Sequence, residues 1–258
     1  MPTAIRAITR IQDADDFDQF QAFPAGVLLM TPDVVSEALI VPAGYTALWP
    51  NMAVPLGVTV EAVGLLVDPG WSDALAVLNM GDSKTSGDAW VGLLLTQLQV
   101  ANTAYVAHVN NVFVSLGGWR SYDLAWVVSE LVPGMTGKCE LVTLNIGIND
   151  ASTGTSESDF KAAYRSIIDT LRGRWPNVSI YVAYVWSASL GTVEAQEAIN
   201  AWIADIVSEY DHRVSVGMDE RVWLEGGDTG ATNTLDGTHY STAGQTAAAA
   251  AWAAGIGV

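Results

Sequence analysis

The run Ala74-Leu75-Ala76-Val77-Leu78-Asn79-Met80-Gly81-Asp82-Ser83 decides how the rest of the chain is read. Its first seven residues are almost all apolar, the pattern of a strand buried on both faces rather than on one. Gly81-Asp82-Ser83 breaks the run and a helical stretch opens near Gly87, so Ser83 is expected at a strand-to-helix turn. A hydroxyl held there projects from the sheet edge, and backbone N–H groups at the helix start can face an anion forming beside it. Asp-Ser ahead of a helix is also an ordinary capping pair, so the tripeptide alone leaves both readings open.

Working outward, the same alternation repeats. Ala74 to Asn79 is followed by strand-like runs at Tyr105 to Val109, Leu141 to Ile146, Ser179 to Val185 and Arg213 to Val216. Between and after them lie helical stretches at Asp88 to Val100, Tyr122 to Leu131, Glu157 to Arg172, Val193 to Glu209 and Thr242 to Ala254. Five strands separated by helices predict a parallel sheet covered on both faces, with reactive groups gathered at the carboxyl ends of its strands. Upstream of Asp68-Pro69-Gly70-Trp71 the texture differs. Pro24, Pro32, Pro42, Pro50 and Pro55 leave room only for short strands such as Glu37 to Val41 and Val58 to Leu66. The chain therefore divides into a small β-rich region, 1–70, and an α/β domain, 71–258.

Acidic residues outnumber basic ones by 28 to 11, a formal charge of -17. With no basic run to neutralise phosphates, nucleic acid and anionic membrane surfaces are excluded as partners. No apolar run is long enough to span a membrane, and Met1 to Gln21 lacks the basic and apolar segments of a cleavable secretory signal, so a soluble protein is expected. The single cysteine, Cys139, has no disulfide partner in the chain and reads as a buried strand thiol. No His, Cys or carboxylate ligands cluster at metal spacing, so neither metal nor other cofactor is expected.

A serine nucleophile needs a base within hydrogen-bond reach, and the base needs an acceptor that fixes its tautomer. Asp236 and His239, in Leu235-Asp236-Gly237-Thr238-His239-Tyr240-Ser241 before the last helix, can form that pair. Of the other histidines, His108 reads as a packed strand residue and His212 as a helix-end cation. Gly147-Ile148-Asn149-Asp150, past the third strand, offers a side-chain amide to a developing oxyanion, or is simply a turn. Ser115-Leu116-Gly117-Gly118-Trp119 offers a backbone N–H with no side chain in the way, or is simply a loop.

In chain order, Gly-Asp-Ser, a glycine loop, Gly-x-Asn-Asp and Asp-x-x-His, each beside a strand end or helix start, resemble the SGNH (GDSL-like) hydrolase family over about Asp73 to Ala254. The resemblance implies a three-layer α/β/α, flavodoxin-like domain with a five-stranded parallel sheet. It implies a serine esterase with Ser83 as nucleophile, His239 as base and Asp236 as its partner. It also implies an oxyanion hole from the backbone N–H of Ser83, that of Gly118, with Gly117 a close second, and the amide of Asn149. Activity is then expected to fall as pH drops toward the ordinary histidine range, because the base must be neutral. Lys84 departs from the apolar or small residue usual after the nucleophile, and is expected to point to solvent.

Residues Val41 to Val67 resemble β-rich segments of bacteriophage tail-fibre proteins, which implies an assembly or attachment role for 1–70 and a trimer, with the location open between virion-associated and cytoplasmic. Removing acetyl groups from sugars is an activity of the SGNH family, so an acylated carbohydrate or a small ester is the expected substrate. The rival reading is a non-catalytic glycan-binding module, which the ten tryptophans suit equally well. Substrate choice is expected to lie in the loops Ala151 to Ser156, Trp186 to Gly191 and Leu224 to Thr234.

Overall fold

The computed structural model describes residues 8–12, 18–22, 27–29, 46–48, 59–60, 75–85, 89–107, 113–115, 117–134, 138–224 and 232–258. In the first 70 residues these are short strands: β1 (Ile8–Gln12), β2 (Asp18–Ala22), β3 (Val27–Leu29), β4 (Thr46–Leu48) and β5 (Thr59–Val60). β1 pairs antiparallel with β2 and β5, and β3 pairs parallel with β4. The expected strand Glu37 to Val41 lies outside the described residues, as does most of Val41 to Val67.

The rest is an α/β fold. Its strands are β6 (Leu75–Gly81), β7 (Tyr105–Ala107), β8 (Phe113–Ser115), β9 (Leu141–Asn145), β10 (Ser179–Tyr184) and β11 (Val214–Asp219), all parallel. Four of them, in the order β11-β10-β9-β6, form the body of the sheet. The expected continuous fifth strand is instead two three-residue segments, β7 and β8, both pairing with β6, β7 at its start and β8 at its end. The apolar run Tyr105 to Val109 does not reveal this division of the edge between two segments.

The helices with described limits are, in chain order, α1 (Trp90–Ala101), α2 (Ser121–Leu131), α3 (Ile148–Thr153), α4 (Glu157–Arg174), α5 (Val193–Ser208), α6 (Glu220–Leu224) and α7 (Thr242–Ile256). α4 shows why such segments are helical. Phe160, Ala163, Tyr164, Ile167, Ile168 and Leu171 recur at the spacing of one helical face and are buried, Ser156 caps the first turn through Asp159 N–H, and Arg172 and Arg174 sit in the last turn. Two apolar clusters sandwich the sheet. Leu78, Met80, Val142, Leu144, Ile180 and Val182 pack under α2, α4 and α5, whereas Val77, Leu141, Ala183 and Met218 pack under α1 and α7. Each buried aliphatic side chain contributes about 1.5–3 kcal/mol, so both layers are held to the sheet by apolar burial. On the second face the Trp90 and Trp252 rings stack at 5.8 Å.

The order in which successive strands are added reverses between β6 and β9, where the connections leave to opposite edges of the sheet. Open α/β sheets form their crevice at this point, beyond the strands' carboxyl ends. Among the described residues no helix is long and apolar enough to cross a membrane.

Candidate active site

β6 ends at Gly81, where a side chain cannot be accommodated. A Cβ there would lie 2.3 Å from the Asn145 carbonyl oxygen and 2.4 Å from Thr85 Oγ1. Beyond it the chain turns tightly: Thr85 N–H donates to Asp82 O at 3.0 Å and Lys84 N–H to Asp82 Oδ1 at 3.0 Å. The turn leaves Ser83 partly exposed between two buried neighbours, Asp82 and Lys84.

The facing loop is closed on itself. Thr234 and Tyr240 form an antiparallel bridge, Leu235 N–H donates to His239 O at 2.7 Å, and Asp236 Oδ1 accepts from the N–H groups of Thr238 and His239 at 2.9 and 2.8 Å. Asp236 Oδ2 lies 2.6 Å from His239 Nδ1, and His239 Nε2 lies 2.9 Å from Ser83 Oγ, a contact between residues 156 apart in sequence. A carboxylate only accepts, so Nδ1 carries the ring proton and the Nε2 lone pair faces the serine hydroxyl. The hydrogen bond from the His239 backbone, with those from its ring and from Thr238, holds the Asp236 carboxyl down to about 2. Asp236 is therefore anionic at any pH at which an imidazole is neutral.

The loop is buttressed from β10. Thr238 Oγ1 lies 2.6 Å from both Ser187 Oγ and Ser189 Oγ, and Ala188 N–H donates to Gly237 O at 2.8 Å. Of the loops expected to set substrate choice, 186–191 thus supports the histidine loop directly. Residues 151–153 are helical in α3, and 225–231 lie outside the described residues.

The glycine turn follows β8. Gly118 has φ +82, a backbone conformation that favours glycine, whereas Gly117 is the one against the serine: a Cβ on it would lie 3.8 Å from Ser83 Cβ. Asn149, in the first turn of α3, donates from Nδ2 to Trp119 O at 2.9 Å. That bond identifies the amino side of the amide and ties it to the glycine turn, leaving its second N–H for another acceptor. Asp150, buried, accepts from Ser121 N–H at 2.8 Å and Ser121 Oγ–H at 2.7 Å. Burial raises the Asp150 carboxyl above its ordinary value despite these bonds.

One expectation is overturned. Lys84 does not point to solvent: it is fully buried, with Nζ 2.6 Å from Glu220 Oε2 and 2.6 Å from the Trp186 carbonyl oxygen. Burying an ammonium alone is costly, and Glu220, itself fully buried, supplies the counter-charge. Glu220 was not singled out in the sequence. The one signal available was an acidic residue directly after the last strand, at the sheet end where the other polar groups gather. Burial also pushes the Asp82 carboxyl up to about 7, against the pull of Lys84, because two buried carboxyls share one cation.

Other candidates stay apart from this site. His212 is exposed in the turn after α5, and His108 lies outside the described residues. Cys139 is buried just ahead of β9, and burial pushes its thiol well above the usual range.

The fold is shared with solved structures of known proteins. The chain superimposes on a carbohydrate esterase family 3 protein from Talaromyces cellulolyticus with a TM-score of 0.56 and 21% identity, covering 71% of this chain and 95% of that one. The acetylxylan esterase Axe2 from Geobacillus stearothermophilus gives a TM-score of 0.57 at 18% identity over 71% and 94% of the two chains. A lipase/acylhydrolase from Enterococcus faecalis gives 0.58 at 15% identity over 70% and 94%. At such identities the likeness establishes the fold alone. No curated protein sequence matches the chain significantly. The sequence profile of the GDSL-like lipase/acylhydrolase family, however, matches residues 79–247, from within β6 to within α7 and through every residue of the site described above. The chain therefore belongs to the GDSL-like lipase/acylhydrolase family and is an ester-hydrolysing enzyme.

Proposed function

We propose that the protein is a serine esterase that cleaves carboxylic esters through a covalent acyl-enzyme, with O-acetylated carbohydrate as its substrate class. The observation that carries the mechanism is the line Asp236 Oδ2, His239 Nδ1, His239 Nε2, Ser83 Oγ, with separations of 2.6 and 2.9 Å at its two hydrogen bonds. Ser83 Oγ attacks the ester carbonyl carbon while its proton passes to His239 Nε2. The oxyanion is received by the Ser83 N–H, an N–H of the Gly117-Gly118 turn and the second N–H of Asn149. The carbon–oxygen bond to the alcohol then breaks as His239 returns the proton to the leaving oxygen. A water, deprotonated by the same imidazole, attacks the acyl carbon and releases the acid, and Ser83 recovers its proton.

The choice of an acetylated sugar rests on the resemblance of the fold to esterases whose names specify carbohydrate or xylan. Residues 1–70 are assigned to assembly or attachment, the role implied by the resemblance of Val41 to Val67 to tail-fibre segments.

Hydrolysis of p-nitrophenyl acetate, followed by acetate release from acetylated xylan and other acetylated glycans, tests both levels. Turnover abolished by Ser83→Ala supports the mechanism, and acetate release supports the substrate class. Glycan binding without hydrolysis in the parent protein would favour the non-catalytic module instead.

A further inference from the structure

Glu220, the first residue of α6 at the carboxyl end of β11, has no part in the mechanism above, yet its carboxylate is fully buried and accepts four hydrogen bonds. Oε2 accepts from Lys84 Nζ at 2.6 Å and from Trp186 N–H at 2.7 Å. Oε1 accepts from Asn145 Nδ2 at 3.1 Å and from the Tyr240 hydroxyl. Two carboxylate oxygens offer about four lone-pair sites, so the group is saturated.

The donors come from four different places. Lys84 follows the end of β6 and is the residue after Ser83. Asn145 ends β9, four residues before Asn149. Trp186 opens the loop after β10 that supports Thr238. Tyr240 is the residue after His239. One carboxylate just past the end of β11 thereby touches the neighbour of the nucleophile, the neighbour of the base and the ends of the two strands between. Tyr240 also donates nowhere else among the described residues, and Lys84 Nζ lies 5.9 Å from its ring. Burying a charged pair this deeply costs desolvation that well-packed apolar residues would avoid, so stability alone is a poor reason for it.

We propose that Glu220 is a positioning residue of the esterase: by holding Lys84 and Tyr240 together it sets the distance between Ser83 and His239. The inference rests on the catalytic reading of Ser83 and His239. A misplacement of about 1 Å between reacting groups costs about 100-fold in rate. Glu220→Gln keeps the shape but turns an amino group toward two of the four donors, so the clamp loosens on one side.

Three proteins are compared with Ser83→Ala and the parent, using p-nitrophenyl acetate and counting competent sites by labelling with a fluorophosphonate. Per competent site, Glu220→Gln is expected to lose about 10- to 100-fold in kcat with KM within about twofold of the parent. Tyr240→Phe, which removes only the link to the base side and leaves the ion pair, is expected to lose kcat in the same sense by a smaller factor. Lys84→Met combined with Glu220→Gln removes the uncompensated cation and is expected to recover the urea midpoint without recovering kcat. Recovery of kcat together with the midpoint would overturn the inference, since Glu220 would then only neutralise Lys84. Unchanged kcat in Tyr240→Phe would overturn it even if Glu220→Gln failed to fold. Absence of any Ser83-dependent turnover in the parent would overturn the catalytic reading as well, an outcome distinct from parent activity that Glu220→Gln retains.

Discussion

Asp150 receives both the backbone N–H and the hydroxyl of Ser121, two bonds to one buried carboxylate that join the first turn of α3 to the first residue of α2. Asn149 directly precedes Asp150 and the Gly117-Gly118 turn shortly precedes Ser121, so this pairing ties together the two halves of the proposed oxyanion hole. Asp150→Ala strands two buried donors at once. Hydrogen bonds to charged groups contribute about 1.5–3 kcal/mol each, and an unmade buried one costs about 1–3. A loss of about 2–5 kcal/mol in urea-induced unfolding is expected, with esterase activity falling further than that of an equally destabilised core variant.

Asn149→Ala removes a single donor and also releases Trp119 O. Removing one oxyanion donor typically costs about 100- to 1,000-fold in kcat. That loss is expected with KM little changed, because the bond strengthens only as the carbonyl oxygen becomes negative. Steady-state kinetics on p-nitrophenyl acetate read the difference, and a rise in KM at constant kcat would contradict the assigned role.

Asp236→Asn retains the shape of the loop but presents an amide to Nδ1, allowing the imidazole to place its proton on Nε2. In that tautomer the ring cannot accept from Ser83. A fall of about 1,000- to 10,000-fold in kcat is expected, the size seen when the corresponding acid of a serine triad is amidated. Because the carboxyl is held at about 2, acidification to pH 4 leaves it ionised, and loss of activity above that pH is not due to its protonation.

Asp82 makes a stability prediction of opposite sign to the usual carboxylate. Its carboxyl, raised by burial from an ordinary value near 3.8 to about 7, binds its proton more tightly folded than unfolded. The folded state therefore holds the extra proton between those two values. Its contribution to stability is complete below about 3.8 and is lost as pH rises through about 7. Asp82→Asn, which keeps an oxygen for the Lys84 N–H, is expected to flatten the fall in urea midpoint between pH 5 and pH 8. An unchanged slope would mean that another group carries it.

Much of this architecture was legible in the sequence because it is written in local pattern. β6, β9 and β10 are short apolar runs, α4 and α5 carry helical spacing with Ser156 and Thr192 as caps, and their limits fall within two residues of those read from the chain. Asp236 and His239 were legible for the same reason: three residues apart on one tight loop, they meet whatever the rest of the fold does. The split of the edge into β7 and β8 was not, since a strand's end at a sheet edge depends on what it pairs with.

What the sequence alone determined is therefore the alternation of strand and helix, the turn that carries Ser83 and the loop that pairs His239 with Asp236, all consequences of neighbours along the chain. Only the tertiary structure decided that His239 faces Ser83, and that Lys84 lies inside against Glu220, 136 residues away. A lysine's charge makes solvent its default. That default is reversed only by an opposite charge and a carbonyl brought to it from other strand ends, and no pattern near Lys84 contains them.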